Sequence, residues 1–290
     1  MRFLNESCLE LRARLADTMT GVLTTAEGQS EEQVAQNLKT QLASIPGVLP
    51  AGWYSPPPTG IGMLFADPHD NYRRGRFDSL RNEQYWPKAD YKLGDETIGI
   101  LYASPVWATS GIIGDWGATL YRGKDTAIQQ HLVNCLEAVE EMSEYAQVGM
   151  QLGDMSRFAD TMLKKRGLAS DRVVLTSKTD VTGINCGHTI PWTDSPPTAE
   201  EARVLESGAQ RAINQLISSK RVFINANETM VIPKTIVFTS ELRLESTKDP
   251  QLPNGYFHML VSFLEGEKTI AADFNAFFKA MGMDYIRSKF

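Results

Sequence analysis

Histidine and cysteine are scarce in this chain, with four of the first and three of the second in 290 residues. Cys8, Cys135 and Cys186 lie far apart, are odd in number and form no C-x-x-C pair. That argues against a disulfide framework and against a cysteine zinc site. A basic excess is also missing, since 29 Lys and Arg stand against 35 Asp and Glu for a net charge of −6. A general nucleic-acid binder needs a basic face to neutralise phosphates, so nucleic acid is not an expected partner. The uncharged run at 97–114 is broken by Pro105 and several Gly, Ser and Thr residues, which makes it a poor membrane span. The opening MRFLNESCLE has no apolar segment and carries Glu6 and Glu10, so it does not read as a signal peptide. No phosphate loop, nucleotide fingerprint, serine elbow or Cys–His dyad occurs. A cytoplasmic protein without membrane contact is the expectation.

Apolar residues are plentiful, at 42%, enough for a domain of this size to bury about three-quarters of its unfolded surface. Residues 5–24 place apolar side chains at helical spacing. Gly28 breaks that helix, and Ser30 with Gln33 reads as a capping box for the next one. A proline-rich loop follows (47–60), then the strand IGMLFA, then a loop carrying Arg73, Arg74, Arg76 and Arg81. TIGILYASPVW and SGIIGDWGATLYRG read as strands, and a long helix is expected from about Thr126. Gly149, Gly153 and Asp154 mark another turn and acidic helix start. The plan then repeats: strand RVVLTS, an acidic helix over 198–219, strands RVFIN, KTIVFTSELRLES and GYFHMLVSFLEG, and a last helix. Helix, glycine turn, capped helix and strands thus occur twice, a weak internal repeat that divides the chain at about 135/136.

Four metal-competent groups fall on expected strands among strongly apolar neighbours: Asp115, His188, Glu241 and His258. A charge so placed is costly unless paired or ligated. Two imidazoles and two carboxylates suit a borderline divalent ion such as Zn, Fe, Mn or Co. Taken singly, a His or Asp on a strand is more often an ordinary structural residue.

The order of motifs resembles the creatinase/prolidase/methionine aminopeptidase family, whose fold is called pita-bread. GQSEEQVAQNL is similar to its first helix start, YKLGDETIGI to its L-x-x-G-D segment, GDWGATLYRG to its second-aspartate motif and VGMQLGDM to its P-G-x-x-L-x-D helix start. CGHTI stands where the family has G-H-G-I-G, and ETMVIPKTIVFTSELRL resembles the strand bearing its first glutamate. The resemblance spans nearly the whole chain. It implies an α+β domain over 1–290, with two pseudo-symmetric halves of about 1–135 and 136–290 and helices covering a curved, mostly antiparallel sheet. It also implies a usual ligand set of two Asp, one His and two Glu for two metals.

Carried over residue by residue, the second Asp maps to Asp115, the His to His188 and the first Glu to Glu241. The first Asp is missing, since nothing acidic lies between Glu96 and Asp115, and His258 stands where the last Glu is expected. The family's substrate histidine is also absent, with Tyr85, Trp86 and Pro87 near its place and His69 further upstream.

The resemblance therefore implies one divalent transition metal (Fe, Mn, Zn or Co) on Asp115, His188, Glu241 and His258. His188 and Glu241 would be catalytic, and Arg81, Tyr85, Trp86 and Trp192 would contact substrate. The arginine-rich loop is a candidate clamp for a substrate carboxylate. The expected activity is hydrolysis of a C–N bond in a short peptide or other small substrate, by a homodimer. A mononuclear metalloenzyme of another class, a lyase or iron-dependent oxidation, is one alternative. A non-catalytic binding protein, with an aromatic pocket drawn from Trp53, Trp86, Trp107, Trp116 and Trp192, is the other.

Overall fold

The structure is a computed structural model that describes residues 2–50, 57, 60–170 and 185–290. Its first helix, α1 (Arg2–Thr24), is followed at Gly28 by α2 (Glu31–Ala43). The expected capping box is present: Ser30 Oγ accepts from Gln33 N at 3.3 Å, and Gln33 Oε1 accepts from Ser30 N at 2.9 Å. Glu31 does more than favour a helix start. It is fully buried and accepts from Arg74 Nε at 3.1 Å and Arg74 Nη2 at 2.8 Å, and from Lys88 N at 2.8 Å.

The strands β1 (Val48–Leu49), β2 (Ile61–Ala66), β3 (Ile98–Ala103), β4 (Val106–Trp107) and β5 (Trp116–Tyr121) come next. Asp115 therefore stands just before β5, not on it. Helices α3 (Thr126–Tyr145) and α4 (Leu152–Arg166) follow as expected, with Asp125 capping the first and Asp154 in the first turn of the second. After β6 (Leu168–Ser170), the expected strand RVVLTS lies outside the described residues.

The helix expected over 198–219 is two helices, α5 (Ala199–Glu206) and α6 (Gln210–Lys220), because Gly208 between them takes φ +66°. RVFIN is not a strand. It forms only an isolated bridge, Phe223 to His188. The long strands β7 (Ile236–Ser246) and β8 (Gly255–Leu264), the edge strand β9 (Glu267–Ala271) and the short α7 (Asn275–Ala280) complete the chain.

The main sheet has the order β2-β3-β5-β8-β7-β6, and every pairing in it is antiparallel. Strand β8 pairs along most of its length with β7. Its other edge is shared, with β5 meeting residues 257–258 and β9 meeting residues 260–264. Buried apolar residues from α1, α2, α3, α4 and the sheet form one continuous cluster. No helix among the described residues is long and apolar enough to cross a membrane.

Candidate functional site

Strand register assembles the site. Glu241 on β7 lies opposite His258 on β8, and His258 lies opposite Gly117 on β5. Gly117 in turn lies opposite Tyr102 on β3. Directly paired residues share a face, and so do residues two apart on one strand. Tyr102, Asp115, His258, Glu241, Arg243 and Tyr256 thus converge on one side of the sheet. Gly117 leaves room for them, because a Cβ there would come within 2.5 Å of the Tyr256 ring.

His188 reaches the same place from an irregular segment. Gly187 before it has φ +143°, and a Cβ there would sit 2.1 Å from the Thr239 carbonyl oxygen. Only glycine lets the histidine's backbone lie this close to β7. His188 N donates to Thr239 Oγ1 at 2.8 Å, and Thr239 N donates to His188 O at 2.8 Å.

The four residues singled out in the sequence come together as two imidazole–carboxylate pairs. His188 Nε2 is 3.3 Å from Asp115 Oδ2, and His258 Nε2 lies against Glu241 Oε2. His188 Nδ1 is 3.1 Å from the Thr189 carbonyl, which requires it to be the donor. Tyr102 OH donates to Asp115 Oδ1 at 3.0 Å. Burial disfavours charge on Asp115, but the hydrogen bond from His188 and the charges of His258 and His188 outweigh it and hold the carboxyl well below the usual range. Glu241 is also held below its ordinary value. Burial and Asp115 oppose this, and the charge and hydrogen bond of His258 prevail. The side chains of Asp115 and His258 have no exposure, whereas Glu241 keeps 10%. Glu241 is therefore the member most open to water.

As arranged, the four stand as two pairs rather than as one ligand set. Among the described residues no group of three or more His, Cys, Asp or Glu side chains is placed to hold a metal ion.

The residues expected to touch substrate are placed unevenly. Tyr85 is half-buried and meets Phe77 edge-on at 6.4 Å. Phe77 meets Tyr256 at 6.4 Å, and Tyr256 meets His258 at 6.3 Å. Tyr85 thus begins an aromatic path to the centre. Trp86 is half-buried too, and its Nε1 donates to Arg81 O at 3.1 Å. Trp192 has φ +63°, lies over Gly111 and donates from Nε1 to Glu201 at 3.2 Å, so its indole holds α5 in place. Of the four loop arginines, Arg74 is committed to Glu31, and Arg76 donates to the carbonyls of Asn71 and Gln251. Neither serves a clamp. His69 is exposed on a 3-10 turn.

Sequence reasoning missed Tyr102, Arg221 and Arg12. Tyr102 fills the stretch where the first aspartate was expected, and a search for acids passes over it. Arg221, 7% exposed, reads in the sequence as an ordinary basic residue at a helix end. Arg12 is fully buried and donates to the backbone carbonyls of Asp115, His258 and Ala272, and it pairs with Asp273 at 2.9 Å.

Known structures share this architecture. A methionine aminopeptidase from Rickettsia prowazekii matches with a TM-score of 0.60 at 13% identity, over 93% of this chain and 97% of that one. A prolidase from Pyrococcus furiosus and a dipeptidase from Pyrococcus horikoshii each match with a TM-score of 0.58 at 14% identity, over 92% of this chain. The protein has the pita-bread fold. It spans 63% of the prolidase and 59% of the dipeptidase. No protein-family profile and no curated protein sequence matches the chain. At such low identity, the pita-bread likeness is one of fold, and the chemistry rests on the site.

Proposed function

We propose that this pita-bread protein hydrolyses a C–N bond, peptide or amide, in a small substrate. The observation that carries the reading is the pairing of His188 with Asp115 and of His258 with Glu241 on one buried face. Glu241, the most exposed of the four, takes a proton from water as its oxygen attacks the carbonyl carbon. His258 positions Glu241. The proton then passes from Glu241 to the leaving nitrogen as the C–N bond breaks, while His188, which donates from Nδ1 to the Thr189 carbonyl and turns Nε2 to Asp115, fixes the place of that carboxylate. Tyr102 donates to the same carboxylate. No step runs through a metal. Tyr85, Trp86 and Arg81 would border the substrate. The reading includes a cytoplasmic homodimer, which light scattering and cell fractionation test.

The direct test is turnover of a panel of dipeptides, N-acyl amino acids and guanidino acids, assayed in chelator and with added Mn²⁺, Zn²⁺, Co²⁺ or Fe²⁺. Glu241→Gln is expected to lower kcat by about 10²–10⁴-fold while the fold is kept. Turnover of no member under any of these conditions would sink the proposal and favour a binding role for the cleft.

A further inference from the structure

Glu31 and Arg74 join three parts of the chain. Glu31, the first residue of α2, accepts on one oxygen from the Phe65 amide of the edge strand β2 and from Arg74 Nε at 3.1 Å. Its other oxygen accepts from the Lys88 amide and from Arg74 Nη2, each at 2.8 Å. Arg74, also buried, donates from Nη1 to the Gln84 carbonyl and from Nη2 to the Trp86 carbonyl at 3.0 Å. Tyr85 is the residue between those two carbonyls, so one guanidinium fixes its backbone from both sides. The same guanidinium lies 4.3 Å over the Tyr91 ring. Arg74 is itself anchored, because Asn254 N, where the chain enters β8, donates to the Gly75 carbonyl at 2.9 Å. Residues 86–91 belong to no helix or strand, so these side chains rather than a ladder set their path.

A buried ion pair adds little net stability over apolar residues of the same volume, because desolvation offsets its attraction. What it adds is direction, since a guanidinium fork fixes the angle as well as the distance of the acceptors it meets. Here those acceptors frame Tyr85, whose ring opens the aromatic path through Phe77 and Tyr256 to His258. Burial raises the Glu31 pKa to about 6, against Arg74 and the Phe65 and Lys88 amides, so the pair is ionised at pH 7.5.

We propose that Glu31 and Arg74 are positioning residues for the ligand of this centre: they hold Tyr85 and Trp86 in place and so set how tightly the ligand binds, not how fast it is converted. The inference rests on the hydrolase reading only in taking that ligand to be a substrate bordered by these two residues. The latch itself is testable without turnover.

Amide hydrogen exchange at pH 7.5 reads the latch directly. In the wild type, the Lys88 amide is expected to exchange at least about a hundredfold more slowly than in an unstructured peptide. In Arg74→Met and Glu31→Gln, exchange at Tyr85, Trp86 and Lys88 is expected to quicken at least about tenfold. Arg74→Lys keeps a charge against Glu31 but loses the fork, so it is expected to loosen Tyr85 and Trp86 more than Lys88. With four histidines in the chain, the ring signals of His188 and His258 can be followed by long-range proton–nitrogen correlation, and they are expected to stay in place in Arg74→Lys. For any substrate turned over, KM is expected to rise at least about fivefold in Arg74→Lys with kcat within about twofold. An unprotected Lys88 amide in the wild type overturns the proposal, and that measurement stands even where the variants fail to fold. So do unchanged exchange at Tyr85 and Trp86 in Arg74→Lys, and displaced His188 and His258 signals, which would put the effect in the centre itself. Loosened exchange without turnover of any substrate would leave the latch standing and remove the hydrolase reading. Turnover with KM unchanged in Arg74→Lys would do the reverse.

Discussion

The tyrosine hydroxyl on Asp115 is one of the donors that meet the buried carboxylate. Asp115 is fully buried and keeps its charge mainly through His188 and His258, with Ser104 and, at 3.0 Å, Tyr102 OH as further donors from the first half of the chain. Tyr102→Phe removes that donor without changing the ring. A buried acceptor left short of a partner costs about 1–3 kcal/mol. Urea unfolding at pH 7 is expected to show a loss of that size, and the His188 ring signals should move because their partner carboxylate has become a stronger base. Unchanged stability together with unchanged His188 signals would show that the hydroxyl does nothing here. Legibility at this scale divided by residue type. Asp115, His188, Glu241 and His258 stood out as polar residues among apolar ones. Tyr102 did not, because a tyrosine in a strand is ordinary until its hydroxyl is seen to end on a carboxylate.

Among the elements, the junction on β8 depends most on a single side chain. Its outer edge passes from β5 to β9 between residues 258 and 260, and no strand covers the gap. Arg12 of α1 fills it, donating to the carbonyls at Asp115, His258 and Ala272 while Asp273 balances its charge. Buried carbonyls need partners, and one guanidinium supplies three of them behind two site residues. Arg12→Met keeps volume and removes every donor. It is expected to cost about 3–5 kcal/mol, as when one partner of a buried pair is deleted, and to shift the signals of His258. Thermal unfolding with the Tm unchanged would refute this role. The capping box at Ser30 and the strands β7 and β8 were legible because local propensity and tertiary structure agree there. The break at Gly208 and the loss of RVFIN as a strand were not. Pattern alone cannot tell a glycine tolerated in a helix from one that ends it, or a strand from a lone bridge. Arg12 was hidden for a related reason, since on a helix at polar spacing it looks solvated.

For the whole molecule, the site sits on the seam of the sheet. Strands β2, β3 and β5 come from residues 61–121, strands β8, β7 and β6 from residues 168–264, and their ladders join where β5 pairs with residues 257–258. The two imidazole–carboxylate pairs flank that short contact, so their charge state bears on how the sheet holds together. Asp115 and Glu241 both have folded pKa values held below their ordinary ones. Glu201 joins them at about 2, through Lys220 first, then the Thr198 amide and Trp192. A depressed carboxylate contributes stability that is fully present above its unfolded pKa and lost as pH falls through the folded one. The urea midpoint is therefore expected to hold steady near neutrality and to fall as pH drops below the ordinary carboxylate range, about 4–4.5. That fall should be shallower in Asp115→Asn, and shallower again with Glu241→Gln added, whatever stability the variants lose at pH 7, because the protons that drive it no longer have those sites to bind. An acid slope as steep in the double variant as in the wild type would place the titrating groups elsewhere, and the seam would then owe its stability to packing and to Arg12 rather than to the charged pairs.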